Sequence, residues 1–426
     1  MSTVTSSSSA NVTRLLPHVT CPHCWNEFPP QDSYWISEHQ ELIGDERFSE
    51  TSVEQLRFLP SHFTPDGQAI DARGFTCYRL ACPRCHLEVP RSMLEMKPIF
   101  ISIFGAPASG KTYFLGAMTH MLRQVLPLRF SMDFFDAEAS MNRMLKSYES
   151  DMFVNREPDK ACIPNSLIRK TEQSNEELYS TVRFQSQTVT YTKPFIFNLS
   201  PNDRHKNSES AALKASICLY DNAGESFQPG QDRVDNPVTR HMSKARLLCF
   251  MFDPLQDVRF LQRNGLAGDN YQQRALSNQE EIFQEAAGRI RRYAQIPQTK
   301  KHDAPLVVIV TKSDRWGHLL GPLNPVNEPY VADKTGKKHA IDIRHVRKVS
   351  DATRELLLRS TPEIVTAAES FAREVVYVPI STFGHEALHG TSEGQIRPRD
   401  INPVWVSVPI VFALGEWFTG YIPTVR

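Results

Sequence analysis

Residues 105–112, Gly-Ala-Pro-Ala-Ser-Gly-Lys-Thr, have the spacing G-x-x-x-x-G-K-[ST] of a loop that binds nucleotide phosphates. Its two glycines let the backbone curl, so that successive N–H groups converge on one phosphate. Lys111 can reach the β- and γ-phosphates, and the Thr112 hydroxyl can bind Mg²⁺. The predicted phosphate site is this loop and the residue after it: Gly105, Ala106, Pro107, Ala108, Ser109, Gly110, Lys111, Thr112 and Tyr113.

The two flanks of this loop have the patterns of a strand and a helix. Residues 98–104 form a short apolar run that predicts a buried strand. Residues 112–125 carry apolar side chains at helical spacing, and the positive N-terminal end of such a helix would face the phosphates. The alternative is a glycine-rich turn that only connects a strand to a helix. The order of strand, loop and helix favours phosphate binding.

A second motif follows a predicted pair of antiparallel strands at 193–199 and 215–220. Asp221 at the end of the pair is predicted to act through Mg²⁺, and the Gly224 N–H to meet the γ-phosphate, with Glu225 beside the reacting phosphate. A threonine upstream of this strand pair is expected to sense the γ-phosphate. The choice stays open among Thr171, Thr181, Thr188, Thr190 and Thr192.

A third motif indicates how the base is read. The apolar run 305–311 predicts a buried strand that leads into Thr311-Lys-Ser-Asp314. The Asp314 carboxylate could accept hydrogen bonds from guanine N1–H and its exocyclic amine, while the Lys312 stem lies along the base. The strand predicted at 374–380 ends at Ser381 and Thr382, where a small loop would close over the base. The alternative is a plain strand-to-turn transition.

Two C-x-x-C knuckles near the amino terminus predict a structural zinc site. Each knuckle presents two thiolates from a tight turn, which together suit the four corners of tetrahedral Zn²⁺. Between the pairs lies an insertion, residues 25–81, and His23, His86 and Cys77 are neighbouring alternates. Four reduced thiols or a redox pair is the competing interpretation. The predicted ligands are Cys21, Cys24, Cys82 and Cys85.

The composition limits the classes of protein. The 426 residues include 48 basic and 48 acidic side chains, a balance that argues against binding nucleic acid or membranes by long-range charge, although a local basic patch stays open. The polar start, residues 1–16, predicts a disordered tail without secretory features. Pro409 and Glu416 interrupt the most apolar stretch, so we expect no membrane span and a cytoplasmic protein. Eight cysteines without an export signal indicate a reducing compartment.

The remaining segments complete an α/β domain over residues 97–426, after a zinc-ribbon-like module over 17–96. We expect insertions at about 129–192, with helical pieces, and at about 315–345, of which residues 316–344 are predicted to form an irregular loop. Further predictions are a buried strand at 245–252, a polar helix at 270–294, helices at 345–373 and a final helix at 406–418. Arg289, Arg291 and Arg292 are predicted to lie on a solvated helix face.

The order of these motifs, each at a strand end, resembles that of the Ras-like, translation-factor-related P-loop GTPases over residues 97–426. The zinc knuckles and enlarged domain are similar to bacterial GTPases of the double-GTPase type, known from genomic conflict systems. The resemblance implies a P-loop NTPase fold with a mostly parallel sheet and one antiparallel strand. It also implies a GTP-to-GDP cycle with Mg²⁺, in which the nucleotide state is signalled to a protein partner.

Two departures from that family pattern bear on function. Glu225 stands where Ras-like hydrolases have the glutamine that orients the attacking water, so we expect slow intrinsic hydrolysis. Thr311 replaces an asparagine that normally ties the base loop to the phosphate loop, which weakens the expected guanine preference. The alternatives are a P-loop ATPase, or a non-hydrolysing module in which the zinc domain binds a protein or nucleic acid.

Overall fold

The computed structural model describes residues 15–48, 53–163, 167–168, 178–185, 187–222, 227, 237, 239–266, 279–336, 338–384 and 395–426. Its chain divides into two compact units, Met1–Pro98 and Ile99–Arg426. Residues 1–14 of the predicted tail lie outside the described part of the chain.

The first unit consists of short strands and one helical turn. Its elements are β1 (Val19–Thr20), β2 (Glu27–Phe28), β3 (Tyr34–Ile36), β4 (Arg57–Phe58), β5 (Ala69–Ile70), β6 (Thr76–Cys77), β7 (Leu80–Ala81), β8 (Glu88–Val89) and α1 (Ser92–Glu95). Strands β1 and β2 form one antiparallel pair and β5 and β6 another, while four strands form a sheet in the order β4-β3-β7-β8. The predicted insertion between the two knuckles therefore supplies most strands of this unit.

The second unit alternates strands and helices. Its strands are β9 (Lys97–Gly105), β10 (Met132–Asp136), β11 (Tyr179–Phe184), β12 (Gln187–Thr192), β13 (Phe195–Pro201), β14 (Ala215–Asp221), β15 (Leu247–Phe252), β16 (Leu306–Val310), β17 (Tyr330–Ala332), β18 (His339–Asp342), β19 (Val375–Pro379) and β20 (Thr424–Val425). Its helices are α2 (Lys111–Phe130), α3 (Arg143–Phe153), α4 (Val258–Arg263), α5 (Gln279–Ala294), α6 (Ser313–Trp316), α7 (Ile343–Ser360), α8 (Pro362–Phe371) and α9 (Val408–Glu416).

A seven-stranded, mostly parallel sheet organises this unit, in the order β10-β13-β14-β9-β15-β16-β19. Strands β9, β15, β16 and β19 pair in parallel, and β13 runs antiparallel to both β10 and β14. Alternate residues of the central strands face two separate apolar cores: Val307 and Ile309 lie in one, and Leu306, Val308 and Val310 in the other. Because helices cover both faces, these strands read in the sequence as continuous apolar runs.

The strands predicted around the three nucleotide motifs are confirmed within two residues at each end, including the antiparallel pairing of β13 with β14. The helix predicted at 270–294 is described only from Gln279, because residues 267–278 lie outside the described part. The predicted final helix is confirmed at Val408–Glu416.

Two insertions contain strands that the sequence did not indicate. Between residues 129 and 192, β10 forms the edge strand of the central sheet, and β11 and β12 form a separate antiparallel hairpin. In the second insertion, β17 and β18 pair antiparallel, and β18 pairs in parallel with β20. The interpretation of residues 316–344 as an irregular loop was therefore wrong.

The prediction that Arg289 faces solvent was also wrong. Its side chain is 1% exposed, its Nε lies 2.7 Å from Glu285 Oε1, and its guanidinium stacks over the Phe227 ring. Paired in this way, the charge can be buried. Among the helices that the structure describes, none has the length and hydropathy needed to cross a bilayer.

Candidate functional site

The loop between β9 and α2 has a backbone that two glycines make possible. A Cβ atom on Gly105 would lie 2.5 Å from the Met251 carbonyl oxygen, because β9 and β15 pair directly at these two residues. Gly110 has φ 94° and ψ 17° at the start of α2, a left-handed conformation that side chains disfavour. The loop therefore places the N-terminus of a 20-residue helix close to the end of a central strand.

Lys111 places its ammonium group across this loop. Its Nζ donates hydrogen bonds to the carbonyl oxygens of Gly105 at 2.9 Å and Ala106 at 2.8 Å. The buried Ser109 hydroxyl has no hydrogen-bond partner among the described residues. A cation and helical N–H groups at one point form a site for anions such as phosphates.

Asp221 ends β14 next to this loop. Burial raises the pKa of Asp221, and the charge of Lys111 opposes that rise. Its Oδ1 is buried without a hydrogen-bond partner in the described part of the chain. A buried carboxylate oxygen without a donor suits a bound cation, so the residue fits a role in holding Mg²⁺.

The next residue fixes the end of β14 to β9. The Asn222 backbone N–H donates to the Ile103 carbonyl at 3.2 Å, and its side-chain Nδ2 donates to the same oxygen at 3.0 Å. The amide also contacts Ser102 Oγ and His241 Nε2 at 3.2 and 3.3 Å. These contacts hold Asp221 at the carboxyl edge of the sheet. Gly224 and Glu225, predicted to act beside it, lie outside the described residues.

The base-reading motif joins the ends of β16 and β19. The Ser381 hydroxyl donates to Asp314 Oδ1 at 2.5 Å and accepts the Gly384 N–H at 2.8 Å. The Ser313 N–H donates to the Ile380 carbonyl at 2.9 Å. Since a carboxylate offers about four acceptor positions, Ser381 occupies one and orients the group. Two segments 67 residues apart are therefore brought into direct contact.

Neighbouring residues place this motif against the rest of the sheet. The buried Thr311 hydroxyl donates to the Phe252 carbonyl at 3.4 Å, and Trp316 Nε1 donates to the Thr311 carbonyl at 2.8 Å. The rings of Tyr113, beside Thr112, and Phe383, beside Thr382, meet edge-on at 5.5 Å. The start of α2 thus contacts the loop that follows β19.

The threonines predicted as candidates to sense the γ-phosphate are not distinguished by their positions. Thr181, Thr188, Thr190 and Thr192 all lie on the β11–β12 hairpin, where Thr181 and Thr190 pair across the strands with their hydroxyls 3.3 Å apart. Thr171 lies outside the described residues. The geometry does not select one of them.

The four predicted zinc ligands come together in the first unit. The sulfur atoms of Cys21, Cys24, Cys82 and Cys85 all lie within 4.8 Å of one another, and all four residues are buried. Each pair lies in a turn between two strands, β1 and β2 for the first and β7 and β8 for the second.

The two knuckles have the same backbone form. In each, the residue after the second cysteine has positive φ, 56° at Trp25 and 59° at His86, and its N–H donates to the carbonyl of the first cysteine. Backbone N–H groups also point at the Cys21 and Cys82 sulfur atoms at 3.4–3.5 Å. This donor set fits a tetrahedral zinc ion.

The three alternate ligands are bonded elsewhere. His23 Nε2 lies 3.0 Å from the Glu88 carbonyl, His86 Nδ1 lies 2.8 Å from Asp45 Oδ1, and Cys77 Sγ lies 3.6 Å from the Phe75 carbonyl. The cysteine cluster therefore uses the four residues with knuckle spacing.

Comparisons with known proteins give limited likeness. No protein-family model matches the chain. A protein of Mycolicibacterium smegmatis, provisionally named ESX-1 scaffolding and assembly protein SaeC, is 27% identical over 253 residues, which cover 55% of this chain. The chain spans 57% of that relative's length.

Two solved structures with bound guanine nucleotides resemble the chain weakly. Sup35 complexed with GDP matches at 11% identity with a TM-score of 0.23, covering 68% of this chain and 38% of its own. The Saccharomyces cerevisiae Ski7 GTPase-like domain bound to GTP matches at 13% identity with a TM-score of 0.28, covering 67% and 43%.

Sequence reasoning missed two polar residues at the same sheet edge. Asp253 directly follows β15 and is fully buried, and its Oδ2 lies 2.5 Å from Lys312 Nζ. Gln256 Nε2 donates to the same Asp253 oxygen at 3.1 Å. Ligands bind outside the carboxyl ends of parallel strands. Because Asp253 directly follows such a strand, beside two predicted motifs, its position in the sequence could have indicated a role in the site.

Proposed function

We propose that the second unit, with a P-loop NTPase fold, binds a guanine nucleotide and hydrolyses GTP to GDP with Mg²⁺. The contact between Ser381 and Asp314 carries this proposal, because it orients a carboxylate at the edge of the sheet where the phosphate loop lies. Guanine presents two adjacent N–H donors to one carboxylate. Adenine presents no such pair of N–H donors, so the carboxylate would lose both contacts to the base, which is how such a site would discriminate.

The phosphate loop would hold the phosphates with its backbone N–H groups, the N-terminus of α2 and Lys111. Lys111 already bridges two loop carbonyls, so its charge lies where the phosphates would enter. Thr112 and Asp221 would hold Mg²⁺, and the Asp221 Oδ1, which has no hydrogen-bond partner among the described residues, supports this assignment. When bound, Mg²⁺ would neutralise charge on the phosphates.

For hydrolysis, we assign to Gly224 a backbone N–H for the γ-phosphate and to Glu225 the acceptor for a proton of the attacking water. Glutamate accepts a proton but donates no amide N–H toward the transition state, so we expect slow turnover without a partner. Thr311, Lys312 and Thr382 would complete the walls of the base site.

We further propose that the protein is cytoplasmic and signals its nucleotide state to a protein partner. The relative's name describes a scaffolding and assembly role for that protein, which supports a protein partner here. The balanced charge disfavours nucleic acid. A zinc ion held by Cys21, Cys24, Cys82 and Cys85 would stabilise the first unit.

Fluorescent mant-GTP and mant-ATP binding to the full chain tests the base assignment. The wild type should prefer mant-GTP, and Asp314→Ala should weaken mant-GTP binding by about 100-fold, since two hydrogen bonds to a charged group contribute about 1.5 kcal/mol each. Asp351→Ala, which removes an exposed carboxylate from α7, is the matched control and should bind as the wild type does.

Three other outcomes would revise the proposal. Equal affinity for both nucleotides, unchanged in Asp314→Ala, would refute guanine recognition and favour the ATPase alternative. The absence of phosphate release with Mg²⁺, even with candidate partners, would favour a non-hydrolysing module. Binding of neither nucleotide would refute the proposed site.

A further inference from the structure

A chain of polar contacts connects the phosphate loop to the base-reading motif. Gln256 Nε2 donates to the Pro107 carbonyl in the phosphate loop at 3.4 Å and to Asp253 Oδ2 at 3.1 Å. The same Oδ2 accepts a 2.5 Å hydrogen bond from Lys312 Nζ. Lys312 lies two residues before Asp314. These side-chain contacts and the short backbone segment from Lys312 to Asp314 therefore connect the phosphate loop to the base-reading carboxylate.

Asp253 is a rigid centre for this chain of contacts. Its backbone N–H and C=O both bond to the side-chain amide of Gln279, at 2.8 and 2.9 Å, and its Oδ1 accepts the Leu255 N–H at 3.0 Å. The carboxylate is fully buried, whereas the Lys312 side chain is 41% exposed. Because the Asp253 carboxylate is buried and held by several hydrogen bonds, its position is fixed. The more exposed Lys312 side chain therefore adopts the position that Asp253 sets.

Lys312 has an unusual backbone that this contact holds in place. Its φ of 58° and ψ of 38° are left-handed, a conformation that non-glycine residues rarely adopt. The conformation turns the chain from β16 into α6, where Asp314 lies. The neighbouring Thr311 hydroxyl donates to the Phe252 carbonyl, directly before Asp253, so both contacts tie this turn to the end of β15.

We propose that Asp253 and Gln256 are positioning residues that couple the phosphate loop to the base-reading motif. Asp253 fixes Lys312, and with it the orientation of Asp314, while Gln256 ties that arrangement to Pro107. Contacts to the phosphates and to the base therefore strengthen each other. This inference rests on the guanine-nucleotide site proposed above.

Affinities of the full chain for mant-GTP and mant-ATP, with Mg²⁺, test the coupling. The variants are Asp253→Asn, which removes the charge and keeps the shape, and Gln256→Ala. Each should lower the preference for mant-GTP over mant-ATP, Asp253→Asn by about tenfold and Gln256→Ala by about threefold. Gln262→Ala, an exposed glutamine on the neighbouring α4, should match the wild type.

A double-mutant cycle of Gln256→Ala with Asp314→Ala should show non-additive losses of mant-GTP affinity, by at least about threefold. Merely structural residues would instead lower the melting temperature and leave the preference intact. Unchanged preference in both variants, with an additive cycle, would overturn the inference.

A failure of the variant to fold and a failure of the proposed function can be told apart. If Asp253→Asn does not fold, Gln256→Ala and its cycle decide alone, since that side chain is only partly buried. A wild type that does not prefer GTP would overturn the proposed function and this inference together, and that result is visible before any variant is measured.

Discussion

The substitution Gly105→Ala tests whether the phosphate loop depends on the close approach of two strands. The added Cβ would lie 2.5 Å from the Met251 carbonyl oxygen and 2.9 Å from the Met251 Cβ. Neither atom can withdraw easily, because Met251 pairs with Gly105 inside the parallel sheet. Overpacking of this kind costs about 1–3 kcal/mol of unfolding free energy, which lowers Tm by roughly 2–10 °C.

The same shift displaces the first residue of the loop. We expect mant-GTP affinity to fall at least about tenfold, because small displacements of positioning groups have large effects on binding geometry. Differential scanning calorimetry and fluorescence titration measure the two effects on one preparation.

Gly288→Ala is the matched control, and its expected effect on the free energy of unfolding has the opposite sign. Gly288 lies inside α5, and apart from the backbone of its own helix no atom of the described residues lies within 4 Å of an added Cβ, so alanine should stabilise the helix by about 0.5–1 kcal/mol and leave binding unchanged. A Gly105→Ala protein with wild-type Tm and affinity would show that the close approach of β9 and β15 does not require glycine at this position.

Two further predictions concern the zinc cluster and a buried carboxyl. Elemental analysis should find about one zinc per chain, lost in the Cys21→Ser/Cys82→Ser double variant and retained in Cys77→Ser; a wild type without metal would contradict the zinc assignment. Burial raises the pKa of Glu328 from about 4.5 to about 7. The folded chain therefore holds this proton more tightly than the unfolded chain, and the free energy of unfolding should fall by up to about 3 kcal/mol between pH 4.5 and 7. Urea unfolding of Glu328→Gln should lack this fall, and an identical pH dependence in both proteins would argue against it.

The central strands and the motifs at their ends were predictable from the sequence, because apolar runs buried on both faces are long and uninterrupted. The antiparallel β13–β14 pair could be read in the same way. Edge strand β10 could not be predicted from the sequence, because it is short and two of its five residues are aspartates. Such strands depend on a partner 60 or more residues away, which no local pattern reports.

The polar contacts show a similar division. Spacing alone indicated which cysteines cluster, because each knuckle is a local turn. By contrast, Asp253 and Gln256 resemble ordinary turn residues until the fold brings them to Lys312 and Pro107. Arg289 was misread for a related reason: its charge suggested solvent, whereas Glu285 and the Phe227 ring accommodate it in the interior.

Guanine recognition by Asp314 can be tested by exchanging the hydrogen-bonding pattern of this side chain. Asp314→Asn replaces one acceptor oxygen with a donating amide, which suits xanthine, whose C2 carbonyl stands where guanine has an amine. The measurement is the affinity ratio of XTP to GTP for wild type and variant, by competition with mant-nucleotides. The wild type should prefer GTP and Asp314→Asn should prefer XTP, with a change in the ratio of at least about 100-fold. An unchanged ratio would contradict the assignment of Asp314 as the residue that reads the base.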